Sequence, residues 1–176
     1  MRPDGDARGL GDLIRFGTIA SVDLAAARCT VAAGDLITGP IRWIEPRAGA
    51  TRSWAPPSVG EQVLLICPEG EIAAGVALRG VSCATYPPAG DSARELIVYD
   101  DGAVLAYDPE GHALEALLPA GGTVRLVAPG GIAIEGNVAI TGDLTISGDA
   151  TASGISLVHH KHGGVQTGAA DTGDPK

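Results

Sequence analysis

The chain has 176 residues, a formal net charge of −9 at pH 7, 26 glycines and only 3% aromatic residues. The acidic balance argues against a general nucleic-acid binder, whose phosphate contacts need a cationic surface. Its longest purely apolar runs are a handful of residues, which excludes a membrane-spanning helix.

This length allows one globular domain and an extension. Apolar residues reach 45% with few aromatics, a mixture that suits β-structure built from small branched side chains and many turns. Cys29, Cys67 and Cys83 are odd in number and lack metal-ligand spacing. With no apolar leader-like run at the N-terminus, they are expected to be reduced core thiols.

Residues 1–12, rich in Gly, Asp and Arg, are expected to form a flexible arm. Five short strands follow, over Leu13–Val22, Arg28–Ala33, Ile41–Ile44, Glu61–Cys67 and Ile72–Gly80. Gly34-Asp35 and Pro68-Glu69-Gly70 mark turns, and a loop over Pro46–Gly60 carries Trp54, Pro56 and Pro57. Five strands with Gly/Pro turns over some seventy residues predict a small five-stranded barrel of the OB kind, the collar, over residues 13–86. Pro87, Pro88 and Gly90 interrupt the chain and place a domain boundary. Beyond it, Glu95–Tyr99 and Ala103–Tyr107 flank Asp100-Asp101-Gly102, a hairpin signal. A third strand unit is expected at His112–Leu118, and Thr123–Val127 leads into a repeat.

In that repeat glycine returns every six residues, at Gly130, Gly136, Gly142, Gly148 and Gly154. The third and fifth positions of four successive hexads are apolar: Ile132/Ile134, Val138/Ile140, Leu144/Ile146 and Ala150/Ala152. A spacing of two puts each pair on one face of a strand, and a fixed short period is the mark of a β-helix or solenoid. Burying the six large side chains would stabilise by roughly 1.5–3 kcal/mol each, provided something covers them. The segment contains no aromatic residue and no amphipathic helix to serve as cover. Self-association about an axis parallel to the column is the economical answer. The shrinking side chains predict a taper toward the C-terminus.

Counting by twos from Ala152 gives Gly154, Ser156, Val158, His160 and His162. If no bulge intervenes, both histidines inherit the inward face, and His159 points outward. At i,i+2 on a strand their Cα atoms stand about 6.5–7 Å apart, within reach of one metal ion. The plainer reading is a solvated histidine-rich tail. Asp143, Asp149 and Asp171 could hold calcium, but single carboxylates at turns more often bond the local backbone. Trp43, Trp54, Arg42, Arg47 and Arg52 could together make a nucleic-acid face on a barrel. The acidic chain favours barrel packing and protein contacts for them instead, so no nucleic acid is expected. His112 reads as an ordinary surface residue.

Several runs resemble the phage baseplate assembly protein V family. They are G-T-I-A-S-V-D (17–23), G-D-L-I-T-G-P (34–40), R-A-G (47–49), W-A-P-P-S-V-G-E-Q-V-L-L (54–65) and C-P-E-G-E (67–71). At the other end, H-K-H-G-G-V-Q-T-G (160–168) and T-G-D-P (172–175) resemble that family's spike tip. The resemblance implies a homotrimer with an OB-fold collar, an intertwined triple-stranded β-helix over 91–157 and a metal-bound apex over 158–176. It implies one structural iron per trimer, held by His160 and His162 of each chain. The extra histidine His159 departs from the pattern and offers a competing pair. Six imidazoles would suit several transition metals, and six-coordination disfavours zinc; iron itself comes from the resemblance alone.

The function so implied is the central, membrane-piercing spike of a contractile phage tail baseplate or phage-tail-like bacteriocin. Its partners would be baseplate hub and tail tube proteins at the collar and the host outer membrane at the tip. Its place would be the virion tail, after synthesis in the bacterial cytoplasm. No enzymatic role is expected: the junction over Gly80–Glu95 is too short for an inserted glycosidase with two opposed carboxylates. The alternative is a type VI secretion spike (a VgrG-like carrier), whose chains normally carry fused hub domains not seen here.

Overall fold

The computed structural model describes residues 13–164 and Gly168. The expected arm and the chain after Gly164, with Asp171, lie outside the described residues, Gly168 excepted. The architecture is all-β, and the chain divides into two units, one ending at Val124 and the other beginning at Arg125.

The first unit opens with β1 (Ile14–Asp23) and β2 (Arg28–Ala33), followed by the two-residue strands β3 (Leu36–Ile37) and β4 (Arg42–Trp43). β5 (Gln62–Ile66) and β6 (Val76–Val81) complete a six-stranded sheet in the order β3-β2-β1-β5-β6-β4. All neighbours are antiparallel except β4 and β6. An antiparallel bridge between Cys29 and Ile41 then joins β2 to the residue before β4, with reciprocal N–H···O bonds of 3.0 and 2.8 Å. That bridge closes the sheet into a barrel and removes two free edges. A register shift between Ile19 and Ser21 adds twist to β1 where it pairs with β2.

Strict alternation fills the barrel. Cys29, Val31 and Ala33 point inward from β2, and Val63, Leu65 and Cys67 from β5 and its end. Ile19, Ile41, Trp43 and Ala77 complete one continuous core. Two of the three cysteines are thus core residues, and Cys83 is half-buried; all three are unpaired. Burial, and secondarily the charge of Glu61, pushes the Cys29 thiol up.

The five expected strands are present, with two corrections: β3 is a sixth, formed where the Gly34-Asp35 turn brings Leu36–Ile37 back against Ala32–Ala33, and the last strand is shorter than expected. Ile72–Ala74 forms a 3₁₀ turn, and the last strand starts only at Val76. Turning there lets Ile72 pack against the barrel core, a contact a straight strand would forgo.

After the barrel, β7 (Glu95–Val98), β8 (Val104–Asp108) and β9 (Ala113–Leu117) form an antiparallel three-stranded sheet in sequence order. Asp101 stabilises the first turn by accepting from the Ala103 amide at 3.0 Å. In the second turn Asp108 accepts from the amides of Glu110 and Gly111. His112 is exposed there, at φ 52°.

The repeat stands apart. From Pro119 to Ala150 no strand ladder forms among the described residues, and the side chains lie almost all in solvent. Ile134 is 71% exposed, Val138 61% and Leu144 64%. Among the described residues of the second unit one ladder forms, the hairpin of β10 (Thr151–Ala152) and β11 (Ile155–Ser156). No described helix is long and apolar enough to cross a membrane.

Candidate metal centre

The hairpin at the end of the repeat decides how the histidines are held. Ala152 pairs with Ile155, leaving Ser153 and Gly154 as a two-residue loop. Both have positive φ, 51° and 82°, the signature of a type I′ turn whose twist matches its strands. The chain therefore reverses at the point through which the count by twos ran. Strand parity does not extend from Ala152 to the histidines, and the outward assignment of His159 loses its basis.

A compact turn follows β11. The Leu157 amide donates to the Ala150 carbonyl at 2.8 Å, and the His160 amide to the Ser156 carbonyl at 3.2 Å. The Val158 amide donates to Oδ1 of Asp149 at 3.1 Å, and the His159 amide to Oγ of Ser156 at 2.8 Å. Asp149 is held below the usual carboxylate range, first by the Ser156 hydroxyl and then by the amides of Val158, Ala150 and Leu157. It is a backbone-organising residue, as solvated turn carboxylates commonly are.

The rings of His160 and His162 come together edge to face, with centroids 5.0 Å apart. Nδ1 of His160 lies 2.9 Å from the Ser156 carbonyl and 3.1 Å from that of Leu157. Carbonyl oxygens only accept, so Nδ1 carries the proton and Nε2 keeps its lone pair. A backbone-anchored imidazole with a free second nitrogen is the usual state of a metal-ligating histidine. Metal–nitrogen bonds of about 2.0–2.1 Å to adjacent coordination positions bring ring centroids to roughly 4.5 Å. The observed 5.0 Å lies close to that spacing. His159 lines the same concavity, of about 530 Å³, together with Ser156 and Lys161. Among the described residues no three potential ligands gather into one group.

The collar residues separate into two groups. Trp43 is buried in the barrel, whereas Trp54 is 57% exposed, their rings 5.4 Å apart. Arg42, Arg47 and Arg52 are all exposed. Glu45 ties this region down. Its carboxylate accepts from Nε1 of Trp43 at 2.8 Å, Oγ of Ser53 at 2.8 Å and the Ala55 amide at 2.9 Å. The Ala55 amide, then Trp43, Ser53 and the Arg79 guanidinium, hold its carboxyl below the ordinary range.

Residues 15–81, the barrel, match the model of the type VI secretion system/phage-baseplate injector OB domain. Residues 154–176 match the GpV apex motif, which begins at Gly154 of the hairpin turn. A spike protein of Escherichia phage P2 is 40% identical over 130 residues, 70% of this chain and 62% of that protein. The chain belongs to the phage baseplate assembly protein V family. Its barrel is the OB domain of this family, and its histidines lie within the apex motif. The match spans somewhat under two thirds of the P2 spike protein's length.

Two contributors were not legible as such beforehand. In the sequence Asp149 is only a weak calcium candidate, and Ser156 only a position in the count by twos. Asp149 acts on an amide nine residues downstream, a spacing with no sequence signature until the hairpin is known. Glu45 was likewise silent, because its partners span residues 43–55 and 79 around a loop.

Proposed function

We propose that this chain is the central spike subunit of a contractile phage tail baseplate or phage-tail-like bacteriocin, acting as a homotrimer that pierces the host outer membrane. The observation that carries this is the uncovered stripe of the repeat. Ile132, Ile134, Val138, Ile140, Leu144 and Ile146 are each about half or more exposed in one chain. At roughly 25 cal/mol per Å² of apolar surface removed from water, such a stripe drives association strongly. Three chains wound around a common axis, in an intertwined triple-stranded β-helix over residues 91–157, would bury it and pair the backbone groups left without ladder partners. The boundary near 87–90 belongs to the same proposal.

At the tip, residues 158–176, His160 and His162 of three chains would supply six imidazoles to one structural iron. The ion would pin three chain ends into a point, which concentrates contraction force on a small area. With every position filled by protein, no catalytic role is assigned, and the chain acts as a non-enzyme. Its collar would meet baseplate hub and tail tube proteins, in the virion tail after synthesis in the bacterial cytoplasm. The OB-domain model embraces type VI secretion spikes too, which keeps a carrier role as second reading; the likeness to a phage spike protein favours the first.

Sedimentation equilibrium of the full chain, with elemental analysis, tests this. A mass three times the 17.6 kDa chain with one iron per three chains is expected. His160→Ala with His162→Ala should lose the metal and keep the trimer. A monodisperse monomer would overturn the proposal.

A further inference from the structure

We infer that Asp149 is a positioning residue for the candidate metal centre, acting through the Val158 amide on the turn that presents Nε2 of His160. The inference rests on the reading of His160 as a ligand. Asp149 stands in the last full hexad, two residues before the hairpin, and its Val158 partner lies on the far side of the reversal. Oδ1 takes the Val158 amide at 3.1 Å. Ser156 Oγ accepts from the His159 amide at 2.8 Å. The Ser156 carbonyl receives both the amide and Nδ1 of His160, at 3.2 and 2.9 Å. One carboxylate thus holds the strand-to-tip turn closed, and the turn's carbonyls hold the imidazole.

The physical consequence is preorganisation. A histidine whose Nδ1–H is anchored offers Nε2 in one direction and one tautomer, with raised basicity. Without Asp149 the Val158 amide turns to water, and the ring samples other rotamers before each binding event. Loss of such a supporting partner typically costs 10–100-fold in metal affinity.

Cobalt(II) serves as the probe, titrated into the full-length, metal-free chain, because its visible spectrum reports coordination geometry as well as occupancy. Asp149→Ala and Ser156→Ala should each weaken cobalt binding by about 10–100-fold and alter the spectrum, with the wild-type sedimentation mass retained. Asp149→Asn keeps an oxygen acceptor at the same place and should restore both affinity and spectrum. Asp143→Ala, one hexad earlier and exposed, should behave as wild type. Wild-type affinity and spectrum in both Asp149→Ala and Ser156→Ala, with binding lost in His160→Ala, would overturn the positioning role and leave the metal reading standing. A loss in Asp149→Ala that Asp149→Asn fails to restore also overturns it. Unchanged binding in His160→Ala would sink the metal reading itself, and this inference with it.

Discussion

The barrel and the repeat are made of the same kinds of residue and end in opposite states. Ile19, Val31, Val63 and Leu65 are at most 1% exposed, whereas Ile134, Val138 and Leu144 exceed 60%. Both regions alternate apolar positions at spacing two. What separates them is closure: the Cys29–Ile41 bridge brings the sheet around onto itself, so inward faces meet each other. From Gly130 to Ala150 the repeat advances six residues per glycine with no ladder partner, so its apolar face finds no cover among the described residues. Hydrophobicity drives burial only where topology supplies a second surface.

The sharpest way to break this contrast is to spoil the uncovered face. Leu144→Asp would place three carboxylates in one layer of the proposed trimer, where desolvation and like charge act together. The chain should sediment at its monomer mass of 17.6 kDa. Because both tryptophans lie in the barrel, the urea transition followed by tryptophan fluorescence should hardly move. A barrel that unfolds with the trimer would erase the distinction between the regions.

The reverse experiment truncates the closed core. Leu65→Ala empties a fully buried position and should cost about 2–5 kcal/mol, read as an earlier fluorescence-detected transition. Sedimentation should still report a trimer. If Leu65→Ala dissociated the chains, the collar and not the repeat would hold them together.

A smaller effect sharpens the picture within the barrel unit. Glu45 has a carboxyl held low by the Ala55 amide, Trp43, Ser53 and Arg79. A group depressed in the folded state contributes stability above its ordinary value and loses it as pH falls through the folded value. Acid should therefore loosen the loop around Trp54 before the barrel melts, seen as a fluorescence change in Trp43 and Trp54. Glu45→Gln should flatten that response, and a variant with the wild-type acid profile would remove Glu45 from the account.

Some of this molecule is plain in one chain's sequence. The inward sets Cys29/Val31/Ala33 and Val63/Leu65/Cys67 follow from period two, and Asp100-Asp101-Gly102 announces the β7–β8 hairpin. The two ends carry the family's motifs, and the hexad glycines declare a repeat whose face needs a partner. Local chemistry suffices for these, because side-chain alternation and turn propensity act over a few residues.

Tertiary structure decided the rest. That Ile41 reaches Cys29, that Ile72 folds inward, and that Glu45 gathers Trp43, Ser53 and Ala55 all depend on where distant segments meet. The tip shows this most clearly. A Ser-Gly loop with positive φ at both residues reverses the chain and cancels any count by twos toward His160 and His162. Nothing in the six-residue period marks Ser153 for the left-handed region, since a β-turn is chosen by the pairing of the strands on either side of it. The same reversal carries Asp149 to the Val158 amide, a contact that exists only once the backbone has turned back on itself.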